Sequence, residues 1–273
     1  MIIDGHAHAC GPFLMGENIV KILDELEVDK VVLVPGELGS KRTYALPGVA
    51  EFFPERDVVW VTNVLSKAVI SITGKAADIP EGNRQVYTLA RAYPERIVQF
   101  FWAMLRKSDA LQNMQNCFAE WQFKGIKLHQ CWDAFSIDAE PFTQVADFAA
   151  KEELPIFIHV GNYREVVALI KYSVQHPQNR FIVGHLFGLE IYLQAKHKLE
   201  NIYFDISTVP LISMYRLTKA LQRFGATKLI MGSDTPYGQN ALRRNIERVK
   251  ALPISKVEQE MILGKNLQTL LKL

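Results

Sequence analysis

Eight short runs rich in Val, Ile and Phe recur along this 273-residue chain, and each is followed by at least one helical stretch. MIIDGHAHA, KVVLVPG, RIVQFFWAML, FKGIKLH, PIFIHVG, RFIVGHLFG, NIYFDIS and KLIMGSDTPYG read as the strands. NIVKILDELEV, LQNMQNCFAEW, FTQVADFAAKEE, REVVALIKYSVQH, LEIYLQAKHKL and LISMYRLTKALQRFG carry apolar residues at helical spacing between them, and ALRRNIERVKAL and KVEQEMILGKNLQTLLKL end the sequence as helices. Strand cores this apolar are covered on both faces, as in a parallel sheet. Alternation of β and α implies that sheet, and eight units favour closure into a (β/α)8 TIM barrel, one α/β domain over 1–273. An open doubly wound sheet is the rival. It requires a Gly-rich phosphate loop after the first strand, and GHAHACG is not GxGxxG.

Residues 37–82 interrupt the rhythm with Pro47, Pro54, Gly74 and Pro80, forming an irregular insertion after strand two. VVWVTNVLSKAVISI fits a strand, a helix or both. An excursion of this length is expected either as a lid or substrate cap at the active-site end or as an additional helical layer, with equal weight.

Composition removes several function classes. A net charge of +2, with Lys and Arg scattered, lacks the basic stripe of a nucleic-acid binder. No apolar run approaches the roughly 18 residues of a membrane span. Cys10, Cys117 and Cys131 are odd in number and form no CxxC pair, so reduced thiols are expected. Asp4 and His6 stand where a signal peptide needs a basic start and an apolar stretch, so a cytoplasmic setting is expected.

The polar residues fall in one place. Side chains alternate along a strand, so Asp4, His6 and His8 share a face, as do Lys127 and His129, and Asp205 and Ser207. His159, His185 and Asp234 end their strands. All of these lie at the C-terminal ends, the active-site face of such barrels, and five of the seven histidines are among them. A lone strand-end His is usually structural, and HxH by itself is a weak motif. Jointly, His6, His8, His159, His185 and Asp234 converge on one rim, where burial without a ligand would strand polar atoms. Imidazoles with one carboxylate suit Zn²⁺ or a similar divalent ion, and Asp4 can orient a ligand or serve as a structural hydrogen-bonder.

The motifs DGHAH, GIKLH, FIHVG, GHLFG and MGSDTPYG, with the ending ILGKNLQTLL, resemble the amidohydrolase superfamily, most closely its amidohydrolase 2 branch of metal-dependent TIM-barrel hydrolases and decarboxylases. The resemblance covers essentially the whole chain. It implies metal ligation by His6, His8, His159 and Asp234, with Asp234 and His185 as the catalytic pair. Lys127, His129 and Arg164 are the expected binders of a substrate carboxylate. One Zn²⁺ is favoured. A carboxylated Lys127 would bridge a second metal, with His159 and His185 as its other ligands. GHLFG departs from the family's usual HxGG or HMGG, so Leu186 and Phe187 reshape that wall.

The reaction expected first is hydrolysis, with metal-activated water attacking an amide, ester or lactone of a small carboxylated substrate. The alternative is non-oxidative decarboxylation of an aromatic-type acid. A non-catalytic small-molecule binding barrel is a third reading. A TatD-type nuclease would need a metal-binding glutamate on a mid-barrel strand, which FFWAML and GIKLH lack. The expected partners are a small-molecule substrate and a second copy in a homodimer, the commonest assembly of soluble enzymes, with neither nucleic acid nor membrane.

Overall fold

β1 (Ile3–His8), β2 (Lys30–Val34), β3 (Ile97–Trp102), β4 (Gly125–His129), β5 (Ile156–His159), β6 (Phe181–Val183), β7 (Ile202–Asp205) and β8 (Leu229–Ile230) pair in sequential order, every pair parallel, in the computed structural model. The structure describes residues 1–73, 78–238 and 240–273, the side chains of 69–73 aside; Gly74 of the irregular stretch lies outside the described residues. The helices are α1 (Gly16–Glu25), α2 (Val59–Thr73), α3 (Ile79–Ala92), α4 (Ala110–Trp121), α5 (Glu140–Lys151), α6 (Tyr163–Gln175), α7 (Leu189–Leu193), α8 (Met214–Phe224), α9 (Ala241–Lys250), α10 (Lys256–Glu260) and α11 (Asn266–Leu271).

Local chemistry sets the helix starts. Asn162 and Ser213 accept the N–H groups of Glu165 and Arg216 at the heads of α6 and α8, and Ser255 and Glu258 form a capping box on α10. Between helices and strands lies a continuous apolar layer. Val32, Val98, Phe100, Phe157, Ile182 and Ile230 form a second cluster, to which α11 adds Leu267, Leu270 and Leu271 near the start of β1. Beyond these apolar side chains, His8, His129 and His159 stand at the last positions of β1, β4 and β5.

The ring closes between β1 and the chain after β8. Gly5 N–H donates to the Met231 carbonyl (2.9 Å), Asp234 N–H to that of His6 (2.7 Å), and Ala7 bridges Thr235. This seam requires glycine: a Cβ on Gly5 would lie 2.7 Å from the Met231 oxygen, and one on Gly232 3.0 Å from the His6 nitrogen. Sequential order with closure excludes the doubly wound alternative, and the molecule is a (β/α)8 TIM barrel.

The structure differs from the sequence reading at three elements and settles a fourth. The last strand is two residues long, because Gly232 draws the chain against β1 and Asp234 then takes a left-handed φ of 57°. His185 follows β6 in a single 3₁₀ turn, also left-handed at φ 59°. LEIYLQAKHKL is helical for only five residues, Leu189–Leu193. VVWVTNVLSKAVISI is the helix α2, and α3 follows it. The insertion lies over the barrel mouth, as a cap. Its Asp57 carboxylate sits 3.0 Å from the buried Arg216 guanidinium of α8 and accepts the Gly188 N–H at 2.7 Å. Among the described residues no helix is long and apolar enough to cross a membrane.

Candidate active site

Two histidines from β1 and one aspartate from the β8 loop meet at the mouth of the ring. His6, His8 and Asp234 are buried, and one donor atom from each lies within 4.8 Å of the other two. His8 Nδ1 is 2.7 Å from the Pro35 carbonyl, which only accepts, so the ring hydrogen is on Nδ1 and Nε2 carries the lone pair. That Nε2 lies 3.3 Å from Asp234 Oδ1. Two acceptors facing each other at this distance call for a cation between them, and nitrogen with carboxylate oxygen is a donor set for Zn²⁺ or a similar ion. Burial pushes the Asp234 carboxyl up, but the pull of His185 and His8 and the hydrogen bond from Thr208 outweigh it and hold it below the usual carboxylate range.

His185 is fixed through hydroxyls. Its backbone N–H donates to Asp205 Oδ2 (2.9 Å), and its ring Nδ1 lies 3.0 Å from both Ser207 Oγ and Thr208 Oγ1. Ser207 gives its own proton to Asp205 Oδ2 (2.6 Å) and Thr208 gives its to Asp234 Oδ2 (2.5 Å), so both hydroxyls accept from His185 Nδ1–H. His185 is thereby linked to two carboxylates.

His159 stands beside this group. Its Nδ1 is 3.1 Å from His185 Nε2 and its Nε2 2.6 Å from Asn63 Oδ1, and it is not a member of the 4.8 Å cluster. His129 stacks on it at 3.9 Å between ring centroids and 8° between planes, with Trp102 on the other side at 5.5 Å. His129, Cys131 and His159 also have donor atoms near one another. The stacked imidazoles hold their lone pairs in parallel planes, however, so these cannot converge on one ion at the roughly 2 Å of a metal–nitrogen bond.

Burial sets the charge states. It holds His6, His129 and His159 well below the ordinary histidine range, helped in each by Lys127 and neighbouring imidazoles, so these rings are neutral at pH 7. Lys127 is fully buried, its Nζ 3.1 Å from His6 Nε2 and 4.0 Å from the centre of the Phe157 ring. Desolvation brings its ammonium down to about 7 against the pull of Asp234 and Asp205. Burial raises Asp4 to about 7, and its Oδ1 accepts the Ser233 N–H at 2.7 Å. Asp4 thus braces the β1–β8 seam and is hydrogen-bonded to no histidine ring.

Above this floor lies a cavity of about 730 Å³. Its floor is His6, His8, Lys127, His159, His185 and Asp234. Its walls are largely apolar: the insertion contributes Leu38, Leu46, Val59 and Leu65, and the β-strand loops add Trp132 and Tyr237. His129 also lines it. Arg164, expected at a substrate carboxylate, does not: Asn162 caps α6, and the next turn leaves Arg164 exposed to solvent. Asn63, Thr208 and Trp102 border the cavity too. Sequence reasoning missed all three: Asn63 lies in the ambiguous apolar run, and neither a threonine nor a tryptophan beside a strand end is distinctive.

The family profile described as amidohydrolase matches residues 3–273. Among solved structures, 2,6-dihydroxybenzoate decarboxylase from Rhizobium superposes with a TM-score of 0.71 at 14% identity, covering 99% of this chain and 98% of that one. A dihydroxybenzoic acid decarboxylase from Polaromonas sp., holding manganese and 2-nitroresorcinol, also gives 0.71 at 14% identity, over 99% and 96% of the two chains. A probable 2-pyrone-4,6-dicarboxylic acid hydrolase from Acinetobacter baumannii, with citric acid bound, gives 0.69 at 14% identity over 100% and 99%. A search of the curated proteins finds no match. The whole-length family match, on a barrel whose rim gathers imidazoles and a carboxylate around a cavity, makes this chain an enzyme of the amidohydrolase family.

Proposed function

We propose that the enzyme removes the carboxyl group of a small, flat monocarboxylic acid of aromatic type as CO₂, with one divalent cation, Zn²⁺ by its nitrogen-rich donors, held by His6, His8, His159 and Asp234. When bound, the cation supplies Lewis acidity toward substrate oxygen. Lys127 remains a free amine in this reading and needs no carboxylation. Its value near 7 lets it take a proton opposite an arriving carboxylate. The apolar walls take the ring and exclude water, which disfavours a charged carboxylate relative to neutral CO₂. The bond between ring carbon and carboxyl carbon breaks, CO₂ leaves, and the pair left on the ring carbon takes a proton. That proton is taken up from solvent at the Asp234 carboxylate, which rests ionised, and is passed to the ring carbon, while Thr208, itself hydrogen-bonded to His185, holds the carboxylate in place.

The observation that carries this reading is the partition of the cavity: among the described residues lining it, Lys127 is the only Lys or Arg, set in a polar floor under apolar walls. One cationic side chain suits one carboxylate. The solved decarboxylases of dihydroxybenzoates, and the one holding manganese, support the same substrate class and a divalent ion. Hydrolysis of a carboxylated lactone or ester is the second reading. It is favoured by the ionised Asp234, which suits a general base for water.

The test is turnover by Zn²⁺- or Mn²⁺-loaded protein on hydroxybenzoates while CO₂ is measured, and on carboxylated lactones and esters while acid release is measured. CO₂ in equal amount to arene consumed, lost in Asp234→Asn by 100-fold or more, is expected. Acid release from lactones with no CO₂ from any arene acid would replace decarboxylation by hydrolysis.

A further inference from the structure

The cap reaches into the ligand cluster at one point. Asn63, on α2, is buried, and its Nδ2 donates to the Val160 carbonyl at 3.0 Å, just past the end of β5. Lys67, one turn on, donates to the next carbonyl, that of Gly161, at 2.9 Å. The Val160 carbonyl only accepts, so the nitrogen of the Asn63 amide faces it and the oxygen faces His159. At 2.6 Å that oxygen can only accept, which puts the ring hydrogen of His159 on Nε2. A neutral imidazole has one ring hydrogen, so His159 Nδ1 is left with its lone pair, 3.1 Å from His185 Nε2. The hydrogen of His185 is on Nδ1, held by Ser207 and Thr208, so two lone pairs meet there as well.

We infer that Asn63 is a positioning residue for the metal centre: it fixes the tautomer and direction of His159 so that Nδ1 is presented as a donor, and thereby makes the cap helix part of the site. His8 is oriented in the same manner by the Pro35 carbonyl, directly after β2 and two residues before the insertion begins. The β2–β3 connection, from Pro35 through α2, therefore supplies the outer hydrogen-bond partner of two histidines, one on β1 and one on β5. Such partners are worth 10- to 100-fold in metal affinity. The inference rests on the reading of His159 as a ligand.

Three variants separate positioning from simple anchoring of the cap. Asn63→Leu removes both the acceptor for His159 and the donor to Val160. Asn63→Asp keeps an acceptor oxygen and removes only the donor. Lys67→Met removes the other anchor and leaves His159 untouched. Two quantities are read on the full chain: the ¹⁵N shifts of the His159 ring in metal-free protein, and Zn²⁺ affinity by competition with a chelator. The wild type is expected to show His159 protonated at Nε2. Asn63→Leu should lose that preference and bind Zn²⁺ 10- to 100-fold more weakly. Asn63→Asp should stay within a few-fold of wild type in affinity and keep the tautomer, and Lys67→Met should change neither. Should Asn63→Leu fail to fold, Asn63→Ser, too short to reach the ring, takes its place. Unchanged tautomer and affinity in the Leu or Ser variant would overturn the inference. So would an equal loss in Lys67→Met, or an Asp variant as weak as Leu. If the wild type binds no Zn²⁺, the ligand reading of the site fails, while the ring shifts still decide whether Asn63 sets the tautomer of His159.

Discussion

Replacing Lys127 by Met should make the metal-free protein more stable and its catalysis worse. The amine is fully buried, and its value falls from 10.5 to about 7 on folding, chiefly through desolvation. A depressed value means that stability is complete above the unfolded value of 10.5 and is lost as pH falls toward the folded one. At pH 7 the unfolded chain holds nearly a full proton there and the folded chain about half. Integrating between the two values gives a penalty of about 4 kcal/mol. Met fills similar volume and removes that penalty, but it forfeits the hydrogen bond to His6, worth about 1 kcal/mol. The net gain of about 3 kcal/mol corresponds to a rise in Tm of roughly 6–10 °C. Thermal and urea unfolding of chelator-treated Lys127→Met and wild type, at pH 7 and pH 10, measure it. The gain should shrink to below about 1 kcal/mol of pH-dependent stabilisation at pH 10, where the unfolded amine is itself losing its proton. A gain equal at both pH values, or a variant less stable than wild type at pH 7, would refute the argument that desolvation sets the charge of this amine. Turnover of any accepted carboxylate should fall at least 100-fold in the same variant, since its charged partner is gone.

Asp57→Ala should cost about 3 kcal/mol in urea unfolding, because it takes the nearer carboxylate from the buried Arg216 guanidinium and leaves it only the half-exposed Glu190 at 3.4 Å. Arg164→Ala should leave KM and kcat within two-fold of wild type, since the side chain is exposed and outside the cavity; a ten-fold rise in KM would return it to the site. Adding Zn²⁺ at 100 times its Kd should stabilise the chelator-treated protein by about 2.7 kcal/mol in thermal unfolding, and His8→Ala should abolish most of that shift. Gly232→Ala should lower expression or Tm sharply, as its Cβ would meet His6 and Asp205 at about 3 Å.

The barrel and the rim were legible because both follow from period. Apolar runs such as KVVLV and IVQFFW specify strands buried on both faces, and the two-residue spacing in DGHAH sends His6 and His8 the same way. The cap was less legible for the same reason reversed. α2 buries Val59 and Asn63 against the mouth while leaving Trp60, Val61, Val64 and Leu65 exposed, so its apolar residues show no single face. Asn63 is polar among them, and only the position of the helix in space reveals that its amide lies on an imidazole. Asp234 was legible as a ligand type but not as a geometry: it sits four residues beyond a two-residue strand, in a left-handed turn that no alternation rule anticipates. Arg164, five residues past the end of β5, lies in the first turn of α6, which leaves it exposed to solvent and outside the cavity.

The seam between β1 and the β8 loop has a consequence for how the molecule matures. The backbone of His6 accepts the amide of Asp234, and the side chains of the same two residues belong to the cluster that would grip the ion. Ligation and the last stitch of the ring therefore draw on the same two residues. A nascent chain cannot complete its coordination sphere before residue 234 has left the ribosome. In the finished protein, loading the ion should slow amide exchange along both edges of that stitch more than anywhere else in the wall.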